Sequence, residues 1–425
     1  MRDRGPDVRA VYATVLVFFG RFIISVSIMR RSSGNFGGRT YGRGTGRQVH
    51  GRGFGGHVRA NNEYVGRRGH MHNDRAASKS SSPPAEVSIP RQKYGPKEQN
   101  ERSVMDIEHH KMDEIYGDIS TITVADLLFV GLTYVGFERG RQNVRHSENV
   151  ERFKEHYGPP PTTLAPLLNL NDLKDKFPEV KVKDALMSMN WLKTYDTERV
   201  LSARWRYGDL MHIRNTVKDV ARKVASMEKD VIVFGGFDED EVYIFGVDTV
   251  HFITQEFRLD PSSKWYDFKS HSSGLKYEFA MAIGRPAIVW RRGPFPASES
   301  DINIYRGGKA EEKEDDWDHD ALYFKMKELG EGKCGVGDSA YSSVQDQIIT
   351  TEHGQSKELH EFLKRVKQRE ETLHTRFKSY NILENRFRHG KTTKEKMELH
   401  GICVAAITVM TQYDFDNGRP PFQIR

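Results

Sequence analysis

Apolar residues along this chain change their spacing twice, and those changes divide it into three segments. Over residues 1–103 a short apolar stretch, 12–29, gives way to a run with almost no aliphatic content. From 104 to 230 the apolar positions recur at helical spacing. Ile213, Val217, Val220 and Val224 fall on one face of a helix expected over 210–227. A shorter helix opens at Thr197-Glu198 and ends near Tyr207-Gly208-Asp209, and another is expected over 185–195. Two helices around a Gly-containing turn are the outline of a helix-turn-helix, an outline that ordinary helical hairpins share. The string Gly158-Pro159-Pro160-Pro161 is a firm break between helices. Beyond 230 the apolar residues cluster in short runs, and strands are expected over 231–234, 242–253, 275–283, 287–290 and 333–337. Two long helices, 357–380 and 394–413, close the chain. The fold class expected over 231–425 is therefore α/β, a sheet covered by helices and preceded by the helical segment.

Composition alters this picture mainly at the N-terminus. Residues 30–84 are rich in Gly, Arg and Ser and cannot bury a core, so an Arg/Gly-rich disordered arm is expected there. Arg39, Arg43, Arg47 and Arg52 interleave with Tyr41 and Phe54, a pattern suited to pairing phosphates and stacking on exposed bases, of RNA or DNA. The same segment also suits a plain solubilising linker. The apolar stretch 12–29 fits a targeting or anchoring segment, but Arg21 interrupts it and no small-residue cleavage motif follows. Net charge is +6, with a local acidic run at 311–320. Two cysteines, Cys334 and Cys403, lie far apart, which argues against a disulfide framework or a cysteine-based zinc site.

Candidate chemistry lies in three carboxylates. Asp248 sits inside an apolar strand run, where an ionised group is costly without a partner or a metal. Asp338 directly follows another short strand. Glu371 lies on the penultimate helix, on a stripe with Lys367, His374 and Lys378. Carboxylates converging from separate elements can hold two divalent cations for phosphodiester chemistry. Taken singly, Asp338 equally suits a turn and Glu371 a surface ion pair.

Ordered strings extend the pattern: GVDTVHF (246–252), SSKWYDFKSHSSGLKYE (262–278), IVWRRGPFPASESDINIYR (288–306), GDSAYSS (337–343) and EETLHTRFKSYNILENRFRH (370–389). With ERFKEHYGPPP (151–161) and LMSMNWLKTYDTE (186–198) upstream, they resemble DDE-type transposases of the PIF/Harbinger kind and their relatives among bacterial insertion elements. The resemblance covers about two thirds of the chain, from near 151 to 423. It implies an RNase H-like catalytic core that cuts DNA phosphodiesters and joins 3′-hydroxyl ends to target DNA. It also implies Asp248, Asp338 and Glu371 as catalytic and metal-holding residues, with two Mg²⁺ or Mn²⁺ ions, and a nuclear site of action in a eukaryote. Asp301 matches a frequently acidic position and, opening a helix, reads as a cap or supporting residue; His251 is also implied as a residue supporting the site. Glu370 is the alternative to Glu371, nearer the apolar flank of Phe362, Val366, Leu373 and Phe377. Lys367, Arg376, Lys378, Arg386 and Arg388 are candidate DNA contacts, or plain surface charges. Homo-oligomerisation and a separate DNA-binding partner protein fit such proteins.

Two departures stand out: Thr249-Val250 replaces the usual Gly-Thr before His251, and 90 residues separate Asp248 from Asp338. Either is compatible with a descendant that binds DNA without cutting it, and an RNA-binding role through the arm is a third reading. Removing residues 1–84 is expected to leave a folded core whose nucleic-acid affinity is lower and falls less steeply with salt, because fewer counterions are released. Filter binding across a salt series measures that slope, and an unchanged slope reduces the arm to a linker.

Overall fold

The computed structural model describes residues 109–137, 145–169, 173–351 and 355–424. The arm and the apolar stretch 12–29 lie outside these residues. Among the described residues no helix is long and apolar enough to cross a membrane.

The helical segment begins with α1 (Val124–Tyr134), α2 (His146–Tyr157), α3 (Pro161–Asn169) and the single turn α4 (Leu173–Lys176). Thr123 caps α1 by accepting from the Asp126 N–H at 3.1 Å. Gly158 ends α2 at φ 91°, and a side chain there would run into the Tyr380 ring, 2.6 Å away. The helix expected over 185–195 is α5 (Val182–Thr194). The next two are α6 (Glu198–Trp205), capped by Thr197, and α7 (Leu210–Ser226), capped by Asp209. Glu198 and Arg214 join α6 to α7 through two charge-assisted hydrogen bonds of 2.5 and 2.6 Å. The expected stripe of α7 (Ile213, Val217, Val220, Val224) is buried, and this helix packs against α5 and the last helix of the chain.

One expected strand is missing. Val231 closes a short helix, α8 (Glu228–Val231), and residues 232–234 form no ladder. Phe234 turns inward instead, meeting Phe237, Phe245 and Trp290 at ring distances of 5.4, 5.9 and 6.0 Å, while Val233 stays exposed. Aromatic packing satisfies the apolar run without backbone pairing.

The sheet comprises β1 (Tyr243–Ile253), β2 (Tyr266–Asp267), β3 (Ser272–Ala282), β4 (Ile288–Pro296), β5 (Cys334–Val336) and β6 (Ile348–Ile349). β1 is central, antiparallel to β3, with Asp248 opposite Phe279, and parallel to β5, with Gly246 opposite Val336. β4 pairs antiparallel with β3, and β6 runs parallel to β5. Helices α9 (Asp301–Arg306) and α10 (Leu322–Leu329) connect β4 to β5. After β6 come α11 (Lys357–Lys378), the single turn α12 (Asn381–Glu384) and α13 (Thr393–Asp416). The result is a mixed sheet flanked by helices.

The boundary expected at residue 230 falls inside a continuous core. Trp205, Val220, Tyr277, Phe377 and Cys403 belong to one apolar cluster that joins the helical segment to the sheet. α13, apolar on nearly every side, fills the space between them. Glu228 and Arg291 clasp across the same boundary, with one contact at 2.6 Å. Trp205 is fully buried against Tyr134 and Tyr157. Trp205→Ala should therefore cost about 3–5 kcal/mol, and the whole described chain should lose structure together. Urea unfolding followed by near-UV and far-UV circular dichroism checks both; separate transitions would mean two independent units.

Candidate active site

The carboxylates expected to act together are carried by three different elements. Asp248 lies mid-way along β1, on the face turned to α11. Asp338 follows β5 directly and caps the 3₁₀ turn Ser339–Val344, its Oδ1 accepting from the Ala340 N–H at 2.8 Å. Glu371 stands exposed on α11. All three line one cleft of about 530 Å³, together with Asp301, His251 and His374.

Glycine at 246 makes this convergence feasible. A β-carbon there would lie 2.7 Å from both the Glu370 carboxylate and Val366, so only a bare backbone admits α11 this close to β1. The helix then points Glu370 into the protein, buried to 3%, and leaves Glu371 on the cleft wall. Glu370 thus takes the apolar flank expected of it, although it also borders the cleft. One of its carboxylate oxygens has no hydrogen-bond partner, and burial raises its pKa well above the ordinary range, with Asp248 adding repulsion.

Asp248 is held between attraction and crowding. Its Oδ1 accepts from the Thr249 N–H at 2.7 Å, and its Oδ2 lies 3.8 Å from His374 Nδ1. Burial pushes its pKa up to about 7; Asp338, Asp301 and Glu371 reinforce the rise and the Thr249 N–H opposes it. His374 is buried, and burial lowers its pKa to about 4, so it is neutral at physiological pH. Its Nε2 has no partner. Sequence reasoning placed His374 on the Glu371 stripe without giving it a role. Its three-residue spacing from Glu371, one helical turn on, was the signal available.

Asp301 borders the same cleft from the start of α9. Ser300, not Asp301, caps α9 by accepting from the Asn303 N–H. That leaves Asp301 Oδ1 to accept from the Thr249 hydroxyl at 2.6 Å and from Lys276 Nζ at 3.0 Å. The Thr249 hydroxyl therefore anchors Asp301. Lys276 escaped the sequence reading, because only the β1–β3 register brings it here. His251 meets the Ser270 hydroxyl through Nδ1 at 3.2 Å, and burial lowers its pKa. Behind these residues Glu278 is fully buried, accepts from Trp290 Nε1 at 2.8 Å and is pushed up to about 7 by burial.

The five basic residues divide. Lys367 and Lys378 line the cleft, Lys367 also reaching Thr351 at 3.3 Å. Arg386 lines a second cleft, with Tyr266 and His271. Arg376 pairs with Asp414 at 3.2 Å and covers the Phe415 ring, and Arg388 lies 4.2 Å over the Tyr195 ring. Both of these arginines are thus engaged in holding the helices together.

Oxygen donors of this kind suit Mg²⁺ or Mn²⁺. As they stand, no three His, Cys, Asp or Glu side chains among the described residues are gathered closely enough to cage an ion. Comparison of the chain with known protein families, with curated proteins and with solved structures gives no match.

Stability should record the strain on Asp248. Its carboxyl titrates near 3.8 when unfolded and near 7 when folded, so the native state binds this proton more tightly. The resulting stabilisation is full below pH 4 and is lost as pH rises through 7. His374 works in the opposite sense, losing stability as pH falls from 6.5 towards 4. The difference between the parent and Asp248→Asn isolates the carboxylate. Without metal, that difference should shift in favour of Asp248→Asn by roughly 2–4 kcal/mol between pH 4 and pH 8. Denaturant melts at each pH measure it, and a pH-independent difference would contradict the assignment.

Proposed function

We propose that this chain is a metal-dependent DNA endonuclease and strand-transfer enzyme of the DDE type, built on an RNase H-like core. The observation that carries the reading is the convergence of Asp248, Asp338 and Glu371 on one cleft from β1, from the turn after β5 and from α11. The strand arrangement supports the RNase H-like assignment: β1, β3 and β4 form an antiparallel unit, extended from β1 by the parallel strands β5 and β6.

On this reading Asp248, Asp338 and Glu371 would hold two divalent cations, which when bound activate the attacking oxygen and stabilise the leaving one. The chain's own residues prepare that state. Asp248 must lose the proton that burial favours, so ion affinity should rise with pH through about 7. Lys276 neutralises Asp301 and keeps a fourth carboxylate out of the crowd. Lys367 and Lys378 offer positive charge at the cleft where phosphates would lie. Neutral His374 beside Asp248 adds no charge that would compete with a cation. The open spacing of the carboxylates also favours a rival, a transposase-derived protein that binds DNA without cutting it. Either protein would act where chromosomal DNA is, in a eukaryote the nucleus.

Magnesium at a hundredfold excess over its Kd should stabilise the parent by about 2.7 kcal/mol. Asp248→Asn, Asp338→Asn and Glu371→Gln should each weaken that stabilisation and abolish nicking of supercoiled plasmid, while DNA binding persists. Melts with and without Mg²⁺ or Mn²⁺, paired with the nicking assay, decide between the readings. Binding with neither metal stabilisation nor nicking selects the non-cutting protein, and nicking that survives Asp248→Asn refutes the triad.

A further inference from the structure

Phe268 is a large aromatic residue left 71% exposed, on the turn between β2 and β3. Isolated exposed apolar residues are common, so exposure alone means little; the location of this one is unusual. Its neighbours Asp267 and Lys269 line the carboxylate cleft. Tyr266 of β2 and His271 on the same turn line a second cleft of about 270 Å³, together with Arg258, Arg386 and one acid, Glu256. Phe268 therefore sits between the carboxylate cleft, with Lys269 among its lining residues, and a second cleft that carries Arg258 and Arg386.

The turn that carries it is stiff. Asp267 Oδ2 accepts from the Ser270 N–H at 2.8 Å. The Ser270 hydroxyl is tied to Ser272 Oγ at 2.9 Å and to His251 Nδ1 at 3.2 Å. His271 takes a left-handed backbone, φ 52°, which tightens the bend. The Tyr266 ring meets Phe268 edge-on at 5.2 Å and limits its swing. An aromatic side chain is thus held outward, between a cleft of recessed carboxylates and a cleft that carries two arginines.

We propose that Phe268 is a strand-separating pin for DNA. Its ring stacks on a base at the edge of the paired region, and the released strand runs into the cleft of Tyr266, His271, Arg258 and Arg386. The chemistry asks for such a device, since Asp248 is partly buried and a backbone phosphate must enter the cleft to reach it. Unpairing costs a few kcal/mol of lost stacking, and base–aromatic stacking with phosphate pairing offsets it. This inference rests on the DNA reading above but requires no cutting.

The probe is a short blunt DNA duplex with 2-aminopurine in its terminal pair, compared with the same duplex carrying mismatched, already open ends. Full-length protein is titrated in EDTA, so that opening is read without cleavage. The parent should brighten the 2-aminopurine of the paired duplex. Phe268→Ala should lose that signal and bind the paired duplex about tenfold more weakly, the order of one lost stack, while binding the open duplex almost as the parent does. Phe268→Trp should restore both properties, whereas Phe268→Leu, apolar but without a ring, should behave like Phe268→Ala and serves if the alanine variant does not fold. Equal weakening on both duplexes, or brightening that survives Phe268→Ala, overturns the pin. A protein that opens ends through Phe268 but never nicks keeps the pin and loses the nuclease. One that nicks while Phe268→Ala changes nothing keeps the nuclease and loses the pin. A parent that binds neither duplex loses both.

Discussion

The approach of α11 to β1 is the contact on which the rest of the site depends. Helix and strand meet where Gly246 presents no side chain to Val366 and Glu370, and that absence lets the helix settle directly on the strand. Once it has, residues a turn apart along α11 fall opposite Asp248, and Glu371 and His374 reach the same cleft. Arg369 locks the helix from behind, donating to the carbonyls of Ile283 and Arg285 at 2.7 Å each. Phe377, fully buried against Phe279 at 4.7 Å, fixes the far end of the contact. A displacement of the helix by one side-chain diameter would separate the carboxylates and undo this packing at once.

That contact creates an electrostatic problem which the protein resolves only in part. Asp248, Asp301, Asp338, Glu370 and Glu371 border one cleft, and repulsion between carboxylates favours proton uptake by the most buried of them. Asp301 is neutralised by Lys276, and Asp338 spends one oxygen on its own turn. Asp248 and Glu370 are left raised, with a neutral histidine beside Asp248 and no cation paired with it. Groups that serve structure alone are usually satisfied, and this cluster is left out of balance.

The helical segment takes part in this through the core rather than through the cleft. α7 and α13 lie side by side, and α13 also covers the sheet, so the position of the helical segment is set by the same apolar cluster that supports β3. The α6–turn–α7 hairpin keeps the outline of a helix-turn-helix, yet its second helix spends its apolar stripe on α5 and α13. Its first turn, with Met211 and His212, stays exposed.

By itself the sequence determined the local elements and the residue types of the site. Helical spacing placed α5, α7, α11 and α13, and short apolar runs placed β1, β3, β4 and β5, because the local pattern of apolar residues reports what an element buries. It failed at 231–234, where the same apolar residues suit an aromatic cluster as well as a strand. It overlooked two-residue strands such as β6, too short to show any period. Asp248, Asp338 and Glu371 were legible as carboxylates in ordered strings, and Asp301 as a supporting acid. Tertiary structure decided which of them share a cleft, and that Lys276 and His374 stand among them while Arg376 and Arg388 do not. It also decided that the two expected domains share a core. The physical reason is range: backbone preference acts over a few residues, whereas burial, repulsion and ion pairing depend on groups tens to hundreds of residues apart, brought together only when the core closes.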